Sequence, residues 1–503
     1  MREGKRLVQP MAEEIQRIIY APRLASERAN CFAQLSAVNM AHLVMLAETG
    51  ILEPRVAATL ARATLEIDAA GPDAMSWDAA REDAYYNYEA RLVELVGIEA
   101  GGRIHAGRSR NDIGPTVDRM RVRDWCLRLC RQLGRLQDAL LEHASQHSRT
   151  VMSGYTHLQP AQPITYGFYL LGIAEAFQRD GRRLLSAYAN ASQCPLGAGA
   201  FAGTSFPIDR HRSAELLGFD ALIEHAQDAV ASRDFFIDAI NACVSIALTW
   251  SRFAQDAYVW STQEFGLLRL SDRIAGTSSI MPQKKNPVVL EHLKAKSAHV
   301  IAQLVAILGS VRATHFTMTI DGCRASISGA WPTFGDVDDS LVLTRLVVEE
   351  SAPDPARMLQ QAERNFSTTT DLADALVREH GLSFRQAHHL VGAAVARLID
   401  EGRSAEALDG ARLEAAASEV LGRALGVDDA WVRSRLEPVR AVWSRRSTGG
   451  TSPAEVERLI GEARSRLASR VEAVDAMALE LAQAEAALRE AVRRLAAGEV
   501  GRP

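Results

Sequence analysis

The chain has 503 residues, 47% hydrophobic and 24% charged, ordinary globular values that exclude a wholly disordered polymer. That length exceeds one small core, so two or three packed units, or one elongated body, are expected. Lys and Arg total 57 against 62 Asp and Glu, a net charge of -5, which removes any long-range pull toward nucleic acid or an anionic membrane.

The opening segment MREGKRLVQPMAEEIQ carries basic residues with no apolar run behind them, unlike a secretory signal. The charge-poor stretches 158–174 and 297–311 contain Gln or His and make poor membrane spans. Six cysteines are scattered along the chain, and only Cys126 and Cys130 are close, at a spacing that suits one helix face. They are expected to be buried thiols, without a disulfide framework or metal site, in a chain that stays in the cytoplasm.

Proline is sparse and strict apolar alternation is hard to find, so an all-α protein is predicted. Val122, Trp125, Leu129, Leu133, Leu136 and Leu140 recur every three or four residues and form one stripe. A second stripe runs Val289, Leu293, Val300, Leu304, Leu308 and Val311 behind Pro287. Helices of this kind bury their stripes against one another, which predicts a bundle that other subunits could complete. The expected organisation is an N-terminal helical domain over 1–104, a central helix-bundle domain over 105–362, a C-terminal helical domain over 363–465, and a heptad-patterned helical tail over 466–503. In the tail, Leu467, Val471, Val474, Ala478, Leu481, Leu488, Val492 and Leu495 follow a heptad interrupted by Glu485. A terminal helix packed on its own chain accounts for the pattern slightly better than an intersubunit seam, because a buried Glu485 would be costly.

Four stretches gather small and polar residues where a bundle wants apolar ones: HAGRSRND from His105, GYTHLQPAQP from Gly154, PLGAGAFAGTSFPIDR from Pro195, and GTSSIMPQKKNP from Gly276. Ser, Arg, Asn, Thr, His and Lys are the donors needed to hold a small, multiply charged anion such as a dicarboxylate. Each also has a plainer reading. Ser278 and Ser279 could form a turn and Asn286 an N-cap. His157 could be structural and Glu291 a carboxylate at a helix start. Gly197, Gly199 and Gly203 read as backbone geometry, since no strand precedes them as in a phosphate loop.

The last stretch resembles the fumarase/aspartase superfamily signature G-S-x-x-M-x-x-K-x-N, matched by Ser278, Met281, Lys284 and Asn286, with Thr277 in place of the leading glycine. Together with HAGRSRND and GYTHLQPAQP, the pattern is most similar to the argininosuccinate lyase branch, and the resemblance spans about residues 5 to 465. It implies an all-α fold of three mainly helical domains, with long central helices that form the multi-helix core of a homotetramer. Each active site would take one motif from each of three subunits. It also implies a carbon-nitrogen lyase that reversibly releases fumarate and an amine from an N-substituted aspartate. On the family pattern Ser278 is the general base, while Lys284 and Asn286 clamp the aci-carboxylate. Ser109, Arg110, Asn111, Thr156, Ser279 and Met281 contact substrate, and His157 pairs with Glu291. No cofactor or metal is expected, and neither nucleic acid nor membrane is an expected partner.

The distal pocket departs from that branch. Where the branch reads E-D-I-H-T-A-N-E, this chain has Tyr85 at the histidine. Where the branch carries Tyr, Gln and Lys, Met318, Cys323 and Ser326 stand, alongside Asp321 and Arg324. A pocket that loses hydrogen-bonding partners changes its ligand. Tyr85, Met318, Asp321 and Arg324 are therefore expected to receive a different amine, as in an aminopolycarboxylate such as ethylenediamine-N,N'-disuccinate. An authentic argininosuccinate lyase and a catalytically idle, crystallin-like structural relative are the alternatives.

Overall fold

A computed structural model describes residues 9–499; the first eight residues of the basic opening segment and residues 500–503 lie outside the described residues. The fold is all-α, and among the described residues the strands form only four two-stranded ribbons. The N-terminal helices are α1 (Ala21–Asn30), α2 (Phe32–Glu48), α3 (Pro54–Ala70) and α4 (Ala84–Val96). Helix α2 is apolar on nearly every side and is buried almost throughout, which makes it the centre of the N-terminal core.

The central body begins with α5 (Arg110–Gln146). At 1.5 Å per residue its 37 residues span about 55 Å. Ser109 caps it in a reciprocal box with Asp112. Its predicted stripe is buried at Val122, Leu129, Leu133, Leu136 and Leu140, with Cys126 buried beside them, while Trp125 stacks on Phe334 at 5.7 Å. A hairpin of β1 (Val151–Thr156) and β2 (Gln159–Thr165) then turns the chain into α6 (Tyr166–Ala191). Arg119 near the start of α5 donates to the Asn190 carbonyl, and Tyr166 meets His147 at the other end, so the two helices run antiparallel. Next come α7 (Asp234–Trp260), a ribbon of β3 (Gly276–Thr277) and β4 (Lys285–Asn286), α8 (Val288–Val311) and α9 (Pro332–Glu349). The second predicted stripe is buried at Val289, Leu293 and Val300, whereas Leu308 is half exposed, so α8 keeps an uncovered apolar end.

Helices α10 (Thr369–His380), α11 (Phe384–Asp400) and α12 (Gly410–Leu421) enclose a separate apolar cluster. The chain then returns to the bundle as α13 (Pro453–Ala496), about 66 Å long. The division expected at 465/466 therefore falls inside one unbroken helix. Val456, Ile460, Ala463, Leu467 and Val474 join the central core, and Leu488, Val492 and Leu495 join the N-terminal core. This is the packing of the tail on its own chain. Glu485 faces solvent and pairs with Arg489, while Val471 is 42% exposed, so the heptad seam is only partly used. All six cysteines are free and buried.

Because α13 ties two cores together, its buried positions carry stability. Leu488→Ala removes a side chain only 2% exposed and should cost about 2–4 kcal/mol, read as the shift in the urea midpoint. Leu479→Ala, at a side chain 58% exposed, should stay within about 0.5 kcal/mol; equal shifts for the two would refute the packing described.

Candidate active site

The first polar stretch is held rigidly. Asp112, fully buried, accepts the Ser109 N–H at 2.9 Å, the Gly197 N–H at 3.0 Å and the Gly199 N–H at 2.8 Å. The glycine-rich turn is thus a backbone cradle for one carboxylate. Gly197 and Gly199 have φ of 84° and 65° there, which glycine adopts without steric cost. Burial outweighs these donors and pushes the Asp112 carboxyl up to about 6. Asn111 donates to the Ala200 carbonyl at 3.1 Å, and the Ser109 hydroxyl accepts the Asn111 N–H. Arg110 places Nη1 3.0 Å from both Glu82 and Asp83 and lays its guanidinium 4.1 Å from the centre of the Tyr86 ring.

The second stretch is the β1–β2 hairpin. Thr156 pairs with Gln159 and closes a two-residue loop in which His157 and Leu158 have φ of 55° and 57°, the left-handed values of a tight hairpin turn. His157 and Thr156 are exposed at the tip.

The third stretch is the loop joining β3 to β4. The Ser278 hydroxyl oxygen accepts the Met281 N–H at 3.0 Å and the Ile280 N–H at 3.4 Å. Ser279, Met281 and Lys284 are exposed in this loop. Lys285 is anchored to Asp272 at 2.7 Å and to the Leu270 carbonyl, whereas the Lys284 ammonium makes no hydrogen bond or ion pair among the described residues. Asn286 pairs with Gly276 in the ribbon and donates to the Thr277 carbonyl, and the N-cap position of α8 is Pro287, so Asn286 is not a cap. Glu291, in the first turn of α8, accepts the Tyr258 hydroxyl at 3.3 Å.

These stretches do not all meet within one chain. The first sits at the start of α5 and the second just beyond its end, so about 55 Å of helix separates them. The second and third share an end of the bundle: Tyr155 contacts Phe265, and Tyr166 contacts Trp260 near Tyr258. His157 and Glu291 form no pair.

Of the distal residues, Arg324 reaches Arg110, its Nη2 lying 3.4 Å from the Arg110 carbonyl oxygen and its Nη1 3.6 Å from Glu27. Tyr85 lines the same cavity, but its hydroxyl is occupied by His105 Nδ1 at 2.6 Å and Glu89 at 3.2 Å. Burial, with Arg108 and Arg110, pushes His105 down to about 4. Met318 packs toward Ala198, Ile223, Ala229 and Val230, and Asp321 is exposed, accepting the Gly322 N–H, so neither joins Arg110 within the chain. Sequence reading missed Arg23, Glu27, Tyr86 and the site-side role of Glu82 and Asp83. Arg23 and Glu27 stand four apart on a helix, as countless surface pairs do. Among the described residues no group of three or more His, Cys, Asp or Glu could hold a metal ion, and no single helix is long and apolar enough to cross a membrane.

The cradle can be tested directly. Asp112→Ala leaves three backbone N–H groups without their acceptor, each costing about 1–3 kcal/mol. The melting temperature should fall by more than 5 °C, since the three orphaned groups together cost about 3 kcal/mol or more and each kcal/mol lowers it by roughly 2 °C in a large domain; an unchanged value would mean that the turn holds itself.

Comparison with known proteins agrees with this anatomy. Residues 11–302 match the family described as Lyase, and residues 366–442 match Argininosuccinate lyase C-terminal. Argininosuccinate lyase 1 of Shouchella clausii (strain KSM-K16) is 37% identical over 464 residues, 92% of this chain and 93% of the relative. EDDS lyase in complex with formate superposes with a TM-score of 0.88 at 31% identity, covering 97% of both chains. A variant of EDDS lyase with bound fumarate gives 0.87, also at 31% identity and 97% of both chains. The chain belongs to the argininosuccinate lyase family of the fumarase/aspartase superfamily and is a carbon-nitrogen lyase that releases fumarate.

Proposed function

We propose that the substrate is an N-substituted aspartate whose amine half is an aminopolycarboxylate, as in ethylenediamine-N,N'-disuccinate, and that Ser278 removes its Cβ proton. The difficulty is the weak acidity of a C–H beside a carboxylate, so preorganised donors must stabilise the dianionic aci-carboxylate as it forms. The observation that carries this reading is the pair of backbone N–H groups aimed at Ser278 Oγ in a loop that leaves Lys284 unpaired. Donors at that oxygen stabilise an alkoxide, the form that accepts the proton. The C–H electron pair moves into the carboxylate held by Lys284 and Asn286. It then returns to form the double bond of fumarate as the C–N bond breaks and the nitrogen takes up a proton. His157, joined by Glu291 of another chain in the assembly, tunes that proton transfer. Ser109, Arg110, Asn111 and Thr156 hold the two succinyl carboxylates, and Ser279 and Met281 enclose them.

The site is completed in a homotetramer, three chains contributing to each of four sites. The 55 Å separation along α5 supports this, as does the apolar end of α8, where Val305 is 65% and Leu308 48% exposed. The aminopolycarboxylate reading rests on Arg324 beside Arg110 and on likeness to EDDS lyase. A second reading, cleavage of argininosuccinate to arginine and fumarate, is favoured by the 37% identity to argininosuccinate lyase 1.

Fumarate absorbance with each substrate separates the two: a higher kcat/KM for argininosuccinate would reject the first. Ser278→Ala should lower kcat about a hundred- to ten-thousandfold with little change in KM; near-normal turnover would remove Ser278 from the base role. Lys284→Ala should lower kcat about a hundred- to a thousandfold, more than Lys285→Ala, whose side chain serves only to anchor the loop. Equal losses would put the clamp elsewhere.

A further inference from the structure

Beside Arg110 lies a cavity of about 60 Å³, room for one charged head group or two waters, lined by Arg23, Glu27, Asp83, Asp118 and Arg324 among others. Most of its charged groups already have partners. Glu27 takes Arg23 Nε at 2.7 Å and the Ala84 N–H at 2.8 Å, and Asp83 takes Arg110 at 3.0 Å and the Tyr86 N–H at 3.0 Å. Asp118 is different. Among the described residues its carboxylate accepts no hydrogen bond and has no cation within ion-pairing distance, while Arg233, Arg121 and Arg324 act on it only from farther away. Half-buried and lining the cavity, Asp118 keeps a charge that no side chain neutralises and that a cation entering the cavity would pair with.

Its position indicates what that partner is. Arg110, Gly114 and Asp118 follow one another every four residues along a single face of α5. The Arg324 guanidinium crosses that face over Gly114, where a Cβ would come within 2.9 Å of its Nη2. The face therefore offers, in sequence, a guanidinium for the succinyl half, a second guanidinium, and a free carboxylate.

We infer that Asp118 binds a cationic nitrogen of the leaving amine while Arg324 takes the carboxylate beside it, so that the site selects amines with a zwitterionic end. This rests on the lyase reading above and holds for either substrate considered there, since both place an ammonium near a carboxylate beyond the scissile bond. Burial also raises the Asp118 carboxyl above its ordinary range, which a bound ammonium would reverse.

The test uses the full-length enzyme and three substrates: ethylenediamine-N,N'-disuccinate, argininosuccinate, and an N-(carboxyalkyl)aspartate of matched length that keeps the distal carboxylate but lacks the second nitrogen. Asp118→Asn should raise KM at least tenfold for whichever of the first two the wild type cleaves, and leave KM for the carboxyalkyl compound and inhibition by fumarate unchanged. Arg324→Met should raise KM for all three. Gly114→Ala, which crowds Arg324, should act like Arg324→Met while keeping the helix. An Asp118→Asn effect that is absent, or equal for all substrates, overturns the inference even if the enzyme is active. If Asp118→Asn fails to fold, Asp118→Glu decides instead: preference for the nitrogen-bearing substrate must persist, and its loss with normal melting counts against the inference. A wild type that releases no fumarate from any N-succinyl amine overturns the lyase reading, and the inference with it.

Discussion

The length of one helix governs the rest of the structure. At about 55 Å, α5 puts its capped start, with Ser109 to Asn111, at one end of the bundle and the hairpin carrying Thr156 and His157 at the other. Helices α6, α9 and α13 pack along it, with α7 and α8 behind them, and keep that separation fixed through a core of tightly packed Leu, Ala and Phe. Bending α5 enough to join its ends would break that core. The chemistry assigned to these motifs is therefore compatible with the fold only if different copies of the chain bring opposite ends together, and the uncovered apolar end of α8 is the kind of surface such assembly would bury.

Within that frame, two neighbouring lysines show how the loop divides its work. Lys285 closes onto Asp272 and a backbone carbonyl, which pins the β3–β4 ribbon. Lys284, one residue away in the loop just before the ribbon, is exposed and makes no hydrogen bond or ion pair through its ammonium among the described residues. A charge already neutralised by a chain carboxylate would be of little use to a developing anion, so the separation of the two roles is what leaves one cation available. Ser278 lies in the same loop with two N–H groups on its oxygen and, among the described residues, no carboxylate or imidazole bonded to it. Activation by surrounding positive potential fits that environment better than activation by a paired base.

Much of this was readable from residue spacing. The α5 stripe appeared as a three-and-four repeat because its buried side chains share one face, and the tail was readable as a helix for the same reason. The path of the tail was not. A heptad does not say whether its partner is another chain or the chain's own helices, and α13 serves two cores with different parts of one seam. Chemical motifs stood out because Ser278, Lys284, His157 and Arg110 sit where a bundle wants apolar residues. Asp118 did not stand out, since a single acid in a polar helical stretch looks solvated until α1 and Arg324 are seen to enclose it. Met318 and Asp321, read as neighbours of Arg324, part from it: Met318 packs toward Ala198, Ile223, Ala229 and Val230, and Asp321, at the start of the wide helical turn Asp321–Ala325, is exposed.

The two halves of the site thus obey different physical rules. In the proposed site the succinyl half draws on exposed tips, a two-residue hairpin turn and a short loop, together with Arg110 at the start of α5. The proposed amine half lies along a half-buried face of a rigid helix, where Glu27 holds Arg23 and stands 3.6 Å from Arg324, and Gly114 leaves the space that the Arg324 guanidinium occupies. Changes in a rigid, charge-balanced face alter which ligand fits without disturbing the distant loop that removes the proton. On the proposed reading, that division lets a chain keep the groups assigned to fumarate release while replacing the polar residues assigned to arginine, since the replaced positions lie on elements that do not carry Ser278.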